Sequence, residues 1–132
     1  MKHTICYLSK DHQPMKNSEL EDLFSQVLKV NNFSNISGIL LHNNHFFLQV
    51  LEEKKETIQE LYANIRKDKR HKDILNVLDQ KIESRIFNNY DARFSILKNK
   101  DDIEKLNIYL SRYSLNNNYS TNVKRLLELF LL

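Results

Sequence analysis

Glycine, proline, cysteine and tryptophan are nearly missing from this sequence of 132 residues. It has one glycine, one proline, one cysteine and no tryptophan. A single cysteine excludes an internal disulfide, and with so little glycine and proline other residues must form the turns. Asparagine is the obvious substitute, because its short polar side chain tolerates positive φ. The asparagines between the apolar runs are Asn31, Asn32, Asn35, Asn43, Asn44, Asn88, Asn89, Asn116, Asn117 and Asn118.

The sequence also lacks a long apolar run and a strong excess of either charge. No stretch is long or apolar enough to span a bilayer, and residues 1–4 show no hydrophobic core of a signal peptide. The net charge is +3, with acidic and basic residues interspersed, which does not favour a nucleic-acid partner. We therefore expect a soluble, cytoplasmic protein with no membrane and no nucleic-acid partner.

Apolar residues at helical spacing predict two main helices and two short ones. The first helix has Leu20, Leu23, Phe24, Val27 and Leu28 on one face. The tetrapeptide 18–21 before it matches a capping box with Ser18 as the N-cap. The second helix is predicted over residues 54–67. The short helices are predicted to begin near Asp101 and after the capping candidates at 120–122.

Five strands are predicted around these helices, over residues 2–9, 36–41, 46–51, 74–82 and 90–97. An Asn43-Asn44 turn is predicted to join the second and third strands as a two-residue hairpin. The order β-α-β-β-α-β-β predicts an α+β, ferredoxin-like sheet with two helices on one face, followed by two short C-terminal helices. We expect one domain over residues 1–98 with a helical extension over 99–132. The second sheet face would be covered by the terminal helices or by a second subunit.

Two polar side chains fall on strands that are otherwise apolar. Gln49 shares a face with Phe47 and Leu51 on a strand that is apolar on both faces, and Tyr7 lies on the first strand. A buried amide or phenol must find a partner. In a ferredoxin-like sheet the two can be cross-strand neighbours, either as ordinary core residues or as a redox relay that a cofactor would complete. Cys6 is interpreted as a small buried residue rather than a nucleophile.

Five segments, in order and with similar spacing, resemble the BLUF family of blue-light sensors that use FAD. These segments are Tyr7-Leu8-Ser9, Asn31-Asn32, Ile36-Ser37-Gly38-Ile39-Leu40-Leu41, His45-Phe46-Phe47-Leu48-Gln49-Val50-Leu51-Glu52, and Ile65-Arg66-Lys67-Asp68-Lys69-Arg70-His71. Residues 87–94 occupy the place of the family's fifth strand. The resemblance covers about residues 2–97, and the final helices are similar to the extension of short, stand-alone members.

The resemblance implies a flavin cofactor, FAD with FMN or riboflavin as alternatives, between the two main helices and the sheet. It implies that Tyr7 donates an electron and a proton, and that Gln49 bridges Tyr7 and the flavin. One asparagine at the end of the first helix, Asn31 or Asn32, would bond the flavin edge. Arg70 and His71 would lie near the ring or its tail. The implied protein is a non-enzymatic photoreceptor without a metal, which signals to an unidentified downstream protein; we also expect a homo-oligomer.

The sequence departs from the family pattern at several positions. Glu53 stands where the family has a turn glycine. Tyr90 and Ala92 replace its usual tryptophan and methionine, which puts the coupling to the output in question. A protein-interaction module that kept the fold and lost the flavin is therefore the alternative function. A small acyl-phosphate hydrolase is disfavoured, since residues 10–17 contain no glycine-rich phosphate loop and no arginine.

Overall fold

The computed structural model describes residues 2–90, 92–113 and 118–130. Its elements confirm the predicted order β-α-β-β-α-β-β followed by two helices. They are β1 (Lys2–Asp11), α1 (Asn17–Phe33), β2 (Ser37–Asn43), β3 (Phe46–Glu53), α2 (Lys55–Lys67), β4 (His71–Ile82), β5 (Phe94–Leu97), α3 (Lys100–Tyr113) and α4 (Asn118–Phe130).

The five strands form one sheet in the order β4-β1-β3-β2-β5. β1 lies between β3 and β4, as predicted for a ferredoxin-like sheet, and it pairs antiparallel with both. β2 pairs antiparallel with β3. α1 and α2 pack on one face, where their apolar stripes meet residues such as Ile5 and Leu51 in a common core. The predicted α+β, ferredoxin-like fold is confirmed.

The first turn of α1 shows where the capping prediction succeeds and where it fails. A glutamate does reach back to the N-terminus, but it is Glu19 and not Glu21, the last residue of the predicted box. Glu19 Oε1 accepts a hydrogen bond from the backbone N of Lys16 at 3.1 Å. Lys16 is the N-cap and the helix begins at Asn17. The prediction of Ser18 as the N-cap is therefore wrong, because the reach of Glu19 fixes the cap three residues before it.

The β2–β3 hairpin has a two-residue turn, one position later than predicted. Asn43 pairs with Phe46 across the strands, so Asn44 and His45 are the central residues, with φ values of 51° and 68°. Positive φ at both positions matches the hand of turn that joins right-twisted strands. Asp11 fixes the turn, since its N donates to the His45 carbonyl at 2.8 Å.

The only glycine of the sequence, Gly38, lies on β2 close to the backbone of β3. Gly38 has a φ of 149°, in the region that favours glycine. A Cβ atom built on it would lie 1.8 Å from the carbonyl oxygen of Val50 on β3. Any other residue at this position would force the two strands apart.

The fifth strand is shorter than predicted, because β5 contains only Phe94–Leu97. Tyr90 and Ala92 lie before it in an irregular segment, and residue 91 is outside the described residues. In this segment the backbone N atoms of Ile86 and Phe87 donate to the Glu52 carboxylate at 2.9 and 3.1 Å instead of joining a strand ladder. Of the strand predicted over residues 90–97, the part from Phe94 onward is confirmed. The part before Phe94 is wrong, because its described residues form turns and bends, and residues 87–90 likewise form no strand.

The C-terminal helices begin near the predicted positions, except that α4 starts at Asn118. The predicted capping residues at 120–122 lie inside its first turns, and Ser120 Oγ donates to the Leu110 carbonyl of α3 at 3.5 Å. Asn116 and Asn117 lie outside the described residues. The chain divides into two compact units, one ending at Ile96 and the other beginning at Leu97. Among the described helices, none has both the length and the apolar character needed to cross a membrane.

Candidate functional site

A cavity of about 270 Å³ lies between α1, α2 and the sheet. Its volume is slightly below the range typical of small-molecule sites, about 300 to 1,000 Å³. Most of its lining is apolar, with a few polar groups at defined places. The lining residues are Tyr7, Leu23, Gln26, Val27, Val30, Asn31, Leu40, Phe47, Gln49, Leu61, Asn64, Ile65, Asp68, Arg70 and His71.

Tyr7 and Gln49 meet at the wall of this cavity. They are opposite each other in the β1–β3 register, as predicted. Gln49 Nε2 donates to Tyr7 Oη at 2.5 Å, and both side chains are buried. Gln49 Oε1 is also buried and has no hydrogen-bond partner among the residues that the structure describes. The Gln49 amide therefore donates to the Tyr7 phenol through Nε2, and its Oε1 is available to accept a hydrogen bond from a ligand.

Burial also controls the protonation of Tyr7. Removal of the phenol from water raises its pKa well above the ordinary 10, and the hydrogen bond from Gln49 lowers it by less. Tyr7 is thus a neutral phenol over the physiological pH range, with its proton available for transfer. The ring of Tyr62 on α2 lies beside it, with ring centroids 5.7 Å apart and planes tilted by 43°.

The two asparagines at the end of α1 are placed differently. Asn31 is 2% exposed and lines the cavity, and its Nδ2 has no hydrogen-bond partner in the described part of the chain. Asn32 is exposed and absent from the lining; its backbone carbonyl accepts from Arg93 Nη2 at 3.2 Å. The structure thus brings Asn31, and not Asn32, to the cavity with Tyr7 and Gln49.

Arg70 lines the cavity, but its guanidinium is held by other side chains. Nη2 lies 2.6 Å from Asp68 Oδ2, and Nη1 donates to Gln26 Oε1 at 2.9 Å. The hydrogen bond lowers the pKa of Asp68 and raises that of Arg70. Arg70 therefore joins α1 to the segment after α2, with most of its charge balanced by the neighbouring carboxylate.

His71, at the start of β4, connects the sheet to the end of α2. Its Nε2 donates to the Ile65 carbonyl at 2.7 Å, since a carbonyl can only accept. Its Nδ1 lies 2.7 Å from Ser9 Oγ, which can donate to it. The His71 ring meets the Tyr7 ring edge-on at a centroid distance of 6.1 Å. His71 thus fixes the wall of the cavity around Tyr7.

Several lining residues were not predicted as site residues. Leu23, Val27 and Val30 belong to the face of α1 that turns toward the cavity, and the same helical spacing leads to position 31. This continuation was a sequence signal in favour of Asn31. Phe47 shares its sheet face with Gln49, and the ring of His42 packs on it at a centroid distance of 4.5 Å. Groups of three or more residues that could hold a metal ion do not occur among the described residues.

The sequence profile described as "BLUF: Sensors of blue-light using FAD" matches residues 3–93. The chain belongs to the BLUF family. It is 37% identical over 84 residues to the photoactivated adenylate cyclase subunit alpha of Euglena gracilis, a match that covers 64% of this chain and 8% of that protein. Subunit beta of the same organism is 33% identical over 84 residues, with 64% and 10% covered. The chain spans about a tenth of the length of these curated relatives.

Solved BLUF structures share the fold over nearly the whole chain. The structure titled "BlrP1 BLUF" is 28% identical with a TM-score of 0.77, and the match covers 98% of this chain and 89% of that one; other structures give the source of BlrP1 as Klebsiella pneumoniae. The dark-state structure of BlrB, titled a BLUF protein, is 23% identical with a TM-score of 0.69, covering 94% and 92%. The expected family and its fold are confirmed.

Proposed function

We propose that this chain is a blue-light photoreceptor that binds a flavin in the cavity between α1, α2 and the sheet. Light would switch it by rearranging the hydrogen bonds of Tyr7 and Gln49. One observation carries the proposal: Gln49 is hydrogen-bonded to a buried phenol on one side, and its Oε1, at the cavity wall, has no partner among the residues described in the structure. An amide in this position can form hydrogen bonds to a ligand and to Tyr7 at the same time, so its orientation depends on both.

The polar groups of the cavity fit an isoalloxazine ring. Along one edge this ring carries carbonyl oxygens, which accept hydrogen bonds, and ring nitrogens, one of which carries a hydrogen. Asn31 Nδ2 is a donor and Gln49 Oε1 an acceptor, and both are buried without partners among the described residues. The apolar side chains of α1 and α2 suit the two faces of a flat aromatic ring. A bound flavin would supply absorption of blue light and an electron acceptor.

Tyr7 would supply the electron and the proton. Because burial raises the pKa of its phenol, the proton is present before light arrives and leaves together with the electron. Gln49 is hydrogen-bonded to Tyr7 Oη, so the loss of the electron and the proton from Tyr7 would directly change the hydrogen bond of its amide. Deprotonation of Oη changes it from a donor and acceptor to an acceptor alone.

The Gln49 amide has two useful orientations. In the structure Nε2 donates to Tyr7 and Oε1 is directed elsewhere. After the electron and the proton have returned to Tyr7, an amide rotated by half a turn would accept from the Tyr7 hydroxyl through Oε1, and Nε2 would become a donor toward the cavity. The exchange would replace an acceptor by a donor at the flavin edge, from which we expect a small red shift that decays in the dark.

The remaining predicted residues have supporting roles in this proposal. Asn31 would bond the flavin edge, in preference to Asn32. His71 would hold the wall around Tyr7 through Ser9 and Ile65. Arg70 would close the mouth of the cavity through Asp68 rather than offer a free cation to a phosphate. This arrangement gives no strong preference among FAD, FMN and riboflavin, with FAD taken as the family's cofactor.

The proposed output is a contact with an unidentified downstream protein. The cyclase activity named for the Euglena relatives belongs to proteins about ten times longer than the match, and we propose that this chain acts as a sensor without catalysis of its own. The predictions of a homo-oligomer, of a cytoplasmic location and of a domain boundary at residue 98 stay predictions.

An absorption spectrum of the purified protein, before and after blue light, tests the proposal. We expect a flavin spectrum that shifts slightly to the red and recovers in the dark. The substitutions Tyr7→Phe and Gln49→Ala should keep the flavin bound and abolish the shift, whereas the matched control Tyr62→Phe should keep it. A normal photocycle in Tyr7→Phe would refute the assigned roles. A colourless protein that refuses added flavin would point to the interaction module.

The choice between the two asparagines has its own test. Asn31→Ala should weaken binding of riboflavin by about tenfold, because a buried hydrogen bond to the ring is lost. Asn32→Ala should leave binding unchanged, since that side chain is outside the cavity. Flavin fluorescence quenching measures both affinities. Equal losses in the two variants would contradict the placement of Asn31 at the ring.

A further inference from the structure

A buried carboxylate on β3 holds a segment that has no regular secondary structure. Glu52 is fully buried, and its two oxygens accept hydrogen bonds from the backbone N atoms of two consecutive residues. Oε2 accepts from Ile86 N at 2.9 Å and Oε1 accepts from Phe87 N at 3.1 Å. Ser37 Oγ donates to Oε1 as well, at 2.8 Å. A carboxylate that accepts several such bonds is a strong and specific anchor.

The next residue of the same strand holds the same segment from the other sheet face. Successive side chains of a strand alternate between the faces, so Glu52 and Glu53 are directed to opposite sides. Glu53 Oε2 accepts from Arg85 Nη2 at 2.5 Å, and Arg85 Nη1 donates to the Asn35 carbonyl at 2.9 Å. Residues 85–87 are thus bonded to two successive side chains of β3, Glu52 and Glu53, which lie on opposite faces of the sheet.

The anchored segment continues directly to β5. Ile86 and Phe87 are fully buried, while Asn88 and Asn89 are exposed. Farther along, the Arg93 carbonyl accepts from Gly38 N at 3.0 Å. The segment therefore has a fixed buried part next to β3 and an exposed turn that a partner protein could touch.

Glu52 lies on the same strand as Gln49, three residues later. At the usual rise per residue the two positions are about 10 Å apart. A strand in a closely packed sheet transmits a displacement along its length, because its neighbours allow few alternative packings. A change in the hydrogen bonds of Gln49 that moves β3 would therefore move the Glu52 carboxylate and the residues bonded to it.

We propose that Glu52 is the positioning residue that carries the light signal from β3 to residues 85–90. This route differs from one through a tryptophan or methionine on the fifth strand, since Tyr90 and Ala92 stand before that strand here. Glu52 does not touch the cavity; it acts through the backbone N atoms of Ile86 and Phe87. The inference rests on the proposed photoreceptor function and names the first step of its output.

Amide hydrogen exchange of the flavin-loaded full chain, in darkness and under blue light, tests the proposal. In the wild type we expect the exchange rates of the Ile86 and Phe87 amides to change on illumination by about tenfold, the effect of altering one hydrogen bond to a charged group. In Glu52→Gln, which keeps the shape and removes the charge, this light-induced difference should be lost while the red shift remains.

Two controls separate this role from a merely structural one. Ser37→Ala removes a donor to the carboxylate but leaves both backbone bonds, so the light-induced difference should persist. Glu60→Gln changes an exposed carboxylate on α2 and should have no effect. If Glu52→Gln fails to fold, the wild-type protein still tests the relay, because equal dark and light exchange rates of the Ile86 and Phe87 amides would overturn it.

The outcomes distinguish this inference from the function on which it rests. A red shift with equal dark and light exchange at Ile86 and Phe87 overturns the relay and leaves the photoreceptor intact. A Glu52→Gln protein with a wild-type light response in residues 85–90 also overturns it. The absence of any red shift refutes the photoreceptor itself.

Discussion

Glu53 is the last residue of β3, at the position where the family pattern has glycine. It is not among the residues with positive φ, so this position does not require glycine here. Its side chain is 7% exposed and lies 2.7 Å from Lys2 Nζ and 2.5 Å from Arg85 Nη2. The backbone N of Lys54 donates to it at 2.9 Å. The carboxylate thus joins the first strand, the third strand and the segment after β4.

These partners determine how strongly Glu53 holds a proton. Burial raises the pKa of its carboxyl. The hydrogen bonds from Lys2, from Arg85 and from the Lys54 backbone together lower the pKa by more than burial raises it, so the pKa falls from the ordinary 4.5 to about 2. The folded pKa is lower than the unfolded one. The stabilisation is therefore complete above about pH 4.5 and is lost as the pH falls from there toward 2.

The size of the effect follows from the same two values. A tenfold change in a dissociation constant corresponds to about 1.4 kcal/mol, so the change from 4.5 to about 2 gives about 3 kcal/mol. Lys2 is 33% exposed, and solvent screens its share of the interaction. We expect Glu53→Gln to lower the free energy of unfolding by about 2 kcal/mol at neutral pH.

Urea unfolding of wild type and Glu53→Gln, at neutral pH and at about pH 2.5, measures this prediction. The difference between the two proteins should be about 2 kcal/mol at neutral pH and should fall to about a quarter of that value in acid. Glu60→Gln, on the exposed face of α2, is the matched control and should differ little from wild type at either pH. A difference of the same size at both pH values would refute the ion-pair explanation.

Other predictions concern a close strand contact and a buried thiol. Gly38→Ala should lower the free energy of unfolding by about 3 kcal/mol, because the added Cβ would meet the Val50 carbonyl oxygen at 1.8 Å; a loss below about 1 kcal/mol in urea unfolding would contradict that contact. Burial raises the pKa of the Cys6 thiol to about 12, so iodoacetamide at mildly alkaline pH should alkylate it only after unfolding, as mass spectrometry would show. Rapid labelling of the folded protein would mean that Cys6 is accessible.

The meeting of Tyr7 and Gln49 could be predicted from the sequence, because two regularities determine it. The order of elements places β1 beside β3, and the alternation of side chains puts both residues on the face under the helices. In the structure the two residues are directly opposite each other in the β1–β3 register. Asn31 and Asn32 were left as alternatives because the family pattern can be aligned to either one. The spacing of the apolar face of α1, which leads from Val27 and Val30 to position 31, favours Asn31.

The start of the fifth strand is the main error. The alternation of apolar residues from Tyr90 onward is typical of a strand, yet the described residues just before Phe94 are irregular. The chain enters this segment held by a buried carboxylate, because Glu52 accepts from the N–H groups of Ile86 and Phe87. Nothing in a local pattern reveals an acceptor that comes from more than thirty residues earlier. The pairing of Arg70 with Asp68 and Gln26 could not be predicted either, because the family motif gives the residue types along the sequence but not their hydrogen-bond partners.

Gln49 Oε1 and Asn31 Nδ2, which line the cavity and find no partner in the described part of the chain, have a consequence for the amount of protein in a cell. A buried polar atom without a partner costs about 1–3 kcal/mol, a sizeable part of the stability of a small domain. A ligand that pairs both atoms stabilises the folded chain by an amount that grows with the logarithm of one plus the ratio of its concentration to Kd. Unfolded chains are removed by proteases, so the steady-state abundance of this protein should rise and fall with the flavin supply.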